Sequence, residues 1–220
     1  MVFPLSPQSV RHDPPQLSRD PAYISVKQRY FRNNGRFATI ESVNVNSNRR
    51  DEPIMTINTL KDLYIDQLQD IYSANKQSLQ VAKDLREAAT SSELTEALEA
   101  SVVGISQGME QVKGLIQNHD ADPNGEFCKG MEGIVKEAKA HAINADIADK
   151  DVLDASIITQ YQRMAHYGLA GYGTAAAFAE RLGLDDDAAV LRKCLDETQG
   201  GDSRMTGIAV GKVNKEAVAA

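Results

Sequence analysis

The chain has 220 residues, two cysteines, no tryptophan and 5% aromatic residues, a length that allows one domain or one domain with an extension. A net charge of −7 argues against general binding to a nucleic-acid phosphate backbone, which needs clustered Lys and Arg. No run approaches the roughly 20 apolar residues that a membrane-spanning helix requires, and two cysteines are too few for a disulfide-dense scaffold, so reduced thiols and a cytoplasmic setting are expected.

The charge is split along the chain. Residues 1–50 carry eight Lys/Arg and three Asp/Glu, whereas residues 51–220 carry sixteen and twenty-eight. Five of the seven prolines (Pro4, Pro7, Pro14, Pro15, Pro21) fall in the first 21 residues, where little apolar periodicity is available to offset the entropy of ordering. Residues 1–54 are therefore expected to form a disordered or loosely docked extension, and residues 55–220 a helical bundle domain. A transit peptide suits the Arg-rich composition, but the early prolines spoil its amphipathic helix; a secretory signal lacks its apolar core. The plainer expectation is an extension without a role in the fold, with Met55 a candidate true start.

From Asn58 onward the pattern is helical. Leu60, Leu63, Leu68, Ile71, Leu79, Ala82 and Leu85 predict a first helix from about Thr59 to Ala89, capped by Asn58 or Thr59. Ser92 is the expected cap of a second helix, with Glu93, Glu96 and Glu99 near its positive end. Leu94, Leu98, Val102, Ile105, Met109, Val112 and Ile116 then step by threes and fours, as in a bundle seam. A shorter third helix is predicted over about Phe127–Asn144. A fourth runs from Asp151 to a left-handed cap at Leu182-Gly183, and a fifth opens at Asp185-Asp186-Asp187. Four long helices with short links favour an antiparallel bundle, and the absence of βαβ alternation argues against a doubly wound sheet.

Elimination removes the common chemical motifs. No phosphate loop, nucleophile elbow or H-E-x-x-H zinc helix occurs. Gly168, Gly171 and Gly173 lie inside a helical pattern with no strand before them, so close helix packing is expected rather than a phosphate cradle. His166 reads as a hydrogen-bonded structural residue. Cys128 and Cys194 read as core residues, since nothing marks either as an activated thiolate.

One set of motifs is more specific. Asp70-Ile71-Tyr72-Ser73-Ala74 is followed by Lys76-Gln77, then Cys128, Met131-Glu132-Gly133 and Asp154-Ala155. His166-Tyr167, Ala170, Tyr172-Gly173-Thr174, Ala179-Glu180, Leu182-Gly183 and Val213-Asn214-Lys215 complete it. In this order and spacing, residues 55–220 resemble the YciE/YciF family of ferritin-like bundle proteins, closer to the YciF branch. The resemblance implies an all-α, ferritin-like antiparallel four-helix bundle with one additional short helix, commonly paired into dimers. It also implies a stress-related role and a dinuclear metal centre built from carboxylates and histidines projecting into the bundle.

At the positions matched to that centre the sequence departs from the family's pattern. The first-helix glutamate is replaced by Asn75, the second-helix E-x-x-H pair by Val103 and Ser106, the fourth-helix glutamate by Ala165, and one of the last-helix acids by Thr198. Asp202, His166 and Glu132 remain as residual donors, with Glu197 nearby in sequence. Such a set has too little negative charge to balance two metal ions, so no metal, no cofactor and no catalytic residue is expected. Enzymatic activity is left open and disfavoured. Three functions follow: a metal-free structural or interaction protein, expected to be a homodimer; an iron- or manganese-dependent carboxylate metalloprotein with a remodelled site; or a small-molecule binder using the bundle centre.

Overall fold

The structure, a computed structural model, describes residues 56–218; the expectation for residues 1–54 lies outside the described residues. Among the described residues there is no strand. The helices are α1 (Leu60–Ala88), α2 (Ser92–Asn118), α3 (Lys129–Ala138), α4 (Lys150–Arg181), α5 (Asp185–Ile208) and α6 (Asn214–Ala217).

Local chemistry sets the helix ends. Thr59 begins α1 with a reciprocal cap: its hydroxyl accepts from the Asp62 N–H at 3.1 Å, and the Asp62 carboxylate accepts from the Thr59 N–H at 2.9 Å. The cap of α2 is Ser91 and not Ser92. Ser91 keeps extended backbone angles and its hydroxyl accepts from the Leu94 N–H at 3.2 Å, which leaves Ser92 as the first helical residue. Cys128 caps α3 through its sulfur, which accepts from the Met131 N–H at 3.2 Å. The helical path then widens into a π-turn, Lys139–Ile143, so its full extent is close to that predicted. At the end of α4, Gly183 takes φ +72°, the left-handed conformation that suits glycine.

Gly200-Gly201 are accommodated within α5, which continues to Ile208 before a second π-turn at Ala209–Val213. The reason at Gly201 is steric: a Cβ there would lie 3.0 Å from the Tyr161 hydroxyl of α4. The glycine gives the tyrosine room while the tyrosine covers the helix. Gly171 is likewise a packing glycine, where a Cβ would meet Ile71 Cγ1 at 3.0 Å.

Helices α1 and α2 form one hairpin and α4 and α5 another, with α1 beside α4 and α2 beside α5. Cross-helix bonds fix the directions. Lys61 meets His119 and Arg86 meets Glu99, so α1 and α2 are antiparallel; Thr90 at the end of α1 meets Asp154 at the start of α4. Consequently α2 and α4 run the same way and the chain must cross the length of the bundle between them, carrying α3 on the way. A single long crossover of this kind is the ferritin-like topology.

The core divides in two along the bundle. One half gathers Val81, Leu85, Leu94, Leu98, Met131, Ile157 and Met205. The other gathers Tyr64, Leu68, Ile71, Val112, Ile116, Ala175 and Leu191. Between them lies a layer of small and polar residues, and the candidate site is there.

Candidate functional site at mid-bundle

A cavity of about 380 Å³ occupies the middle layer, bordered by α1, α2, α4 and α5. Each helix brings what its own spacing places inward. From α1 come Asn75 and Ser78; from α4, Tyr161, Met164, Ala165, Gly168 and Tyr172; from α5, Cys194, Thr198 and Gly201. Helix α2 supplies Ala97, Ser101, Gly104 and Gly108, stepping by four, three and four along one face. Exposed Val103, Glu197 and Arg204 stand at the rim. Helices α2 and α5 are the least closely packed of the neighbouring pairs, and small residues on both account for the opening.

The polar groups inside are neutral and mutually engaged. Asn75, 8% exposed, donates from Nδ2 to the Tyr172 hydroxyl at 2.7 Å. The hydroxyls of Ser78, Ser101 and Thr198 donate back into their own helices, to the carbonyls of Ala74 (2.8 Å), Ala97 (2.9 Å) and Cys194 (2.7 Å). The Cys194 thiol donates to Gln111 Oε1 at 2.9 Å. Burial, reinforced by the Glu197 charge, pushes its pKa up to about 11. Burial also raises Tyr161 and Tyr172, so at neutral pH none of these groups is anionic.

Three of the positions singled out by resemblance, Asn75, Ala165 and Thr198, do meet around this cavity. Val103 reaches only the rim and is 52% exposed, while Ser106 lies in a shallow groove beside Leu79, Lys83 and Val102. The inward pair on α2 is instead Ser101 and Gly104, two residues earlier. Each residue turns the helix by about 100°, so a slip of two carries a side chain to nearly the opposite face. The residual donors do not converge either. His166 is exposed and 3.4 Å from Asp202, which also accepts from Gln162 at 3.1 Å; Glu132 pairs with Lys136 on α3.

A dinuclear centre does not fit these residues. Glu197, at the rim, is the single carboxylate bordering the cavity. Among the described residues no group of three or more His, Cys, Asp or Glu side chains is placed to hold a metal ion. Moving from Val103 and Ser106 to Ser101 and Gly104 restores no anionic donor.

Two further polar chains lie outside the cavity. The Cys128 thiol donates to the Tyr167 hydroxyl at 2.9 Å, which donates to Asp70 at 2.8 Å. Burial raises both Cys128 and Tyr167, so the thiol is a cap and core group rather than a nucleophile. At the far end of the bundle, His119 Nε2 and the Tyr64 hydroxyl both meet Asp187 Oδ2, at 2.6 and 2.8 Å, and Lys61 Nζ lies 2.8 Å from His119 Nδ1.

The sequence reading missed Ala97, Ser101, Gly104 and Gly108 as site residues, although their spacing by four, three and four is a signal that marks them as one face of small residues. Tyr161, Met164, Tyr172 and Cys194 carried none, since each is equally at home in a core.

Comparison with known proteins places the chain among others of this architecture. Residues 59–218 match the family described as a domain of unknown function, DUF892. The YciF protein of Escherichia coli strain K12 is 30% identical over 164 residues, spanning 74% of this chain and 98% of that protein. The crystal structure of the E. coli stress protein YciF superposes with a TM-score of 0.68 at 31% identity, covering 72% of this chain and 99% of that one. YcfI of Rhodopseudomonas palustris superposes with a TM-score of 0.64 at 33% identity, over 72% and 96% of the two chains.

Proposed function

We propose that this chain, which belongs to the YciF-type DUF892 family, is a metal-free ferritin-like bundle that acts as a structural or interaction protein and not as an enzyme. The observation that carries the reading is the composition of the mid-bundle layer. Two metal ions buried there would need several carboxylates to balance their charge, and Asn75, Ser101, Gly104, Ala165 and Thr198 offer none. Nor does the layer hold a plausible nucleophile or base: its tyrosines and thiol are held protonated, and its hydroxyls are committed to backbone carbonyls.

The rest of the reading extends from relatives and composition. A stress-related role is drawn from the E. coli relative, which is described as a stress protein. A cytoplasmic homodimer that binds neither nucleic acid nor membrane completes it. No helix among the described residues is long and apolar enough to cross a membrane.

Elemental analysis of the full chain, purified without chelator and then titrated with ferrous iron and with manganese, tests the central point. The expected result is far less than one metal per chain and no saturable uptake. Two metals retained per chain would replace this reading with that of a carboxylate metalloprotein whose ligands include Asp202, His166 or Glu197. Light scattering on the same sample tests the dimer.

A further inference from the structure

We infer that the mid-bundle cavity is a binding site for an uncharged fused-ring alcohol of the phenol class. The inference goes beyond the metal-free reading and needs it only in that no metal pair fills the same layer.

Size comes first. A cavity of roughly 150 Å³ lined by apolar side chains already holds benzene, and the space here is about 380 Å³. That is within the range of small-molecule sites and admits two fused rings. Shape comes next. Gly104, Gly168 and Ala165 leave backbone walls that a flat molecule can approach closely, and Met164, Tyr161 and Tyr172 provide sulfur and aromatic faces for a ring.

Hydrogen-bonding capacity then selects the polar group. Ser78, Ser101 and Thr198 each spend their hydroxyl hydrogen on a carbonyl of their own helix, which leaves acceptor lone pairs on Ser78 and Thr198, while the Ser101 hydroxyl is shared with that of Tyr161. Asn75, more than nine-tenths buried, gives one arm of its carboxamide to Tyr172. Its carbonyl oxygen accepts from no donor in the hydrogen bonds among the described residues. The Tyr161 and Tyr172 hydroxyls bring donors to the same space, so it presents acceptors and donors together, and a hydroxyl on a ring, which both donates and accepts, matches it. Charge is selected against, because the interior has no ion-pair partner. Arg204 and Glu197 at the rim are exposed and of opposite sign, and an exposed pair gains too little to offset burying an ion.

The test is a fluorescence titration of the full chain with 2-naphthol, which the absence of tryptophan leaves free of indole background. Naphthalene-2-carboxylate and 2-methylnaphthalene serve as charged and donor-less comparisons, and metal content is measured on the same sample. Saturable binding of 2-naphthol with a Kd of about 0.1 mM or tighter is expected, with at least tenfold weaker binding of both comparisons. Gly104→Leu blocks the site without threatening the fold. A Cβ at Gly104 meets no atom within 4 Å, and leucine is the better helix former. The variant should melt no lower than wild type and lose at least tenfold in naphthol affinity. Asn75→Leu should narrow the preference for 2-naphthol over 2-methylnaphthalene.

No binding by metal-free protein overturns this inference and leaves the metal-free reading standing. Equal binding of the carboxylate, or unchanged affinity in folded Gly104→Leu, also overturns it. Metal found in the sample overturns the earlier reading instead.

Discussion

Tyr172 and Gly108 form a pair that neither residue explains alone. A Cβ on Gly108 would lie 2.8 Å from the Tyr172 hydroxyl, which is held by Asn75 at 2.7 Å. Glycine within a helix costs up to about 1 kcal/mol relative to alanine, so Gly108→Ala would ordinarily stabilise α2. Here it is expected to destabilise, because the tyrosine must leave the Asn75 amide or the helices must part. Tyr172→Phe alone should cost about 1–3 kcal/mol by leaving that buried amide without its acceptor. In the Tyr172→Phe background Gly108→Ala should become neutral or stabilising. Denaturant titration of the two single variants and the double one reads the coupling directly, and additive effects would show that the two residues are independent.

At the scale of the element, each helix is specified by its ends as much as by its apolar face. The α1 cap is the clearest case. Hydrogen bonds from the N–H groups of Asn58 and Thr59 and from the Thr59 hydroxyl hold the Asp62 carboxyl below its ordinary value of 3.8. A carboxyl depressed in the folded state binds fewer protons than in the unfolded chain as pH falls past that value. Its stabilisation is therefore complete above about pH 4 and fades as acid drops the pH through the folded-state value. Asp62→Asn should lower stability at pH 7, and the gap between variant and wild type should narrow as the pH falls below 3.8. Melting temperatures across that range test it; a gap independent of pH would remove the carboxylate from the account. The sequence left Asn58 and Thr59 both open as this cap, and the three-residue spacing of Thr59 and Asp62 is the signal that selects Thr59. It misplaced the α2 cap by one residue, because Ser91 and Ser92 are equivalent locally and a distant residue, Asp154, decides between them.

For the whole molecule, two aspartates join the hairpins at opposite ends. Asp154 on α4 is 0% exposed and accepts three hydrogen bonds from the α1–α2 turn: from the Thr90 N–H at 2.8 Å, the Thr90 hydroxyl at 3.0 Å and the Ser91 N–H at 2.8 Å. Asp187 on α5 gathers His119 from the end of α2 and Tyr64 from α1. Removing this fully buried carboxylate takes the acceptor from three part-buried donors of Thr90 and Ser91. Asp154→Ala is accordingly expected to cost about 3 kcal/mol or more, and urea unfolding should show it. A loss under about 1 kcal/mol would mean that the turn re-forms its bonds elsewhere. In the sequence Asp154 stands out only as part of the Asp154-Ala155 motif, with no sign of this role, since its partners lie over sixty positions away.

The helices, most of their ends and the bundle class were determined by the sequence itself, because a 3.6-residue apolar period, a capping side chain and a glycine at a helix end all act within a few residues. That Asn75, Ala165 and Thr198 bring no carboxylate to the bundle centre was also legible, since it needs only the identity of the side chains. What the tertiary structure decided was rotation and depth. It brought Ser101 and Gly104 to the centre in place of Val103 and Ser106, set Gly108 and Gly201 against two tyrosine hydroxyls, and left about 380 Å³ between the halves of the core. These depend on how four helices turn toward one another, and that is settled by close contact between residues far apart in the chain, which no single helix encodes in its own pattern.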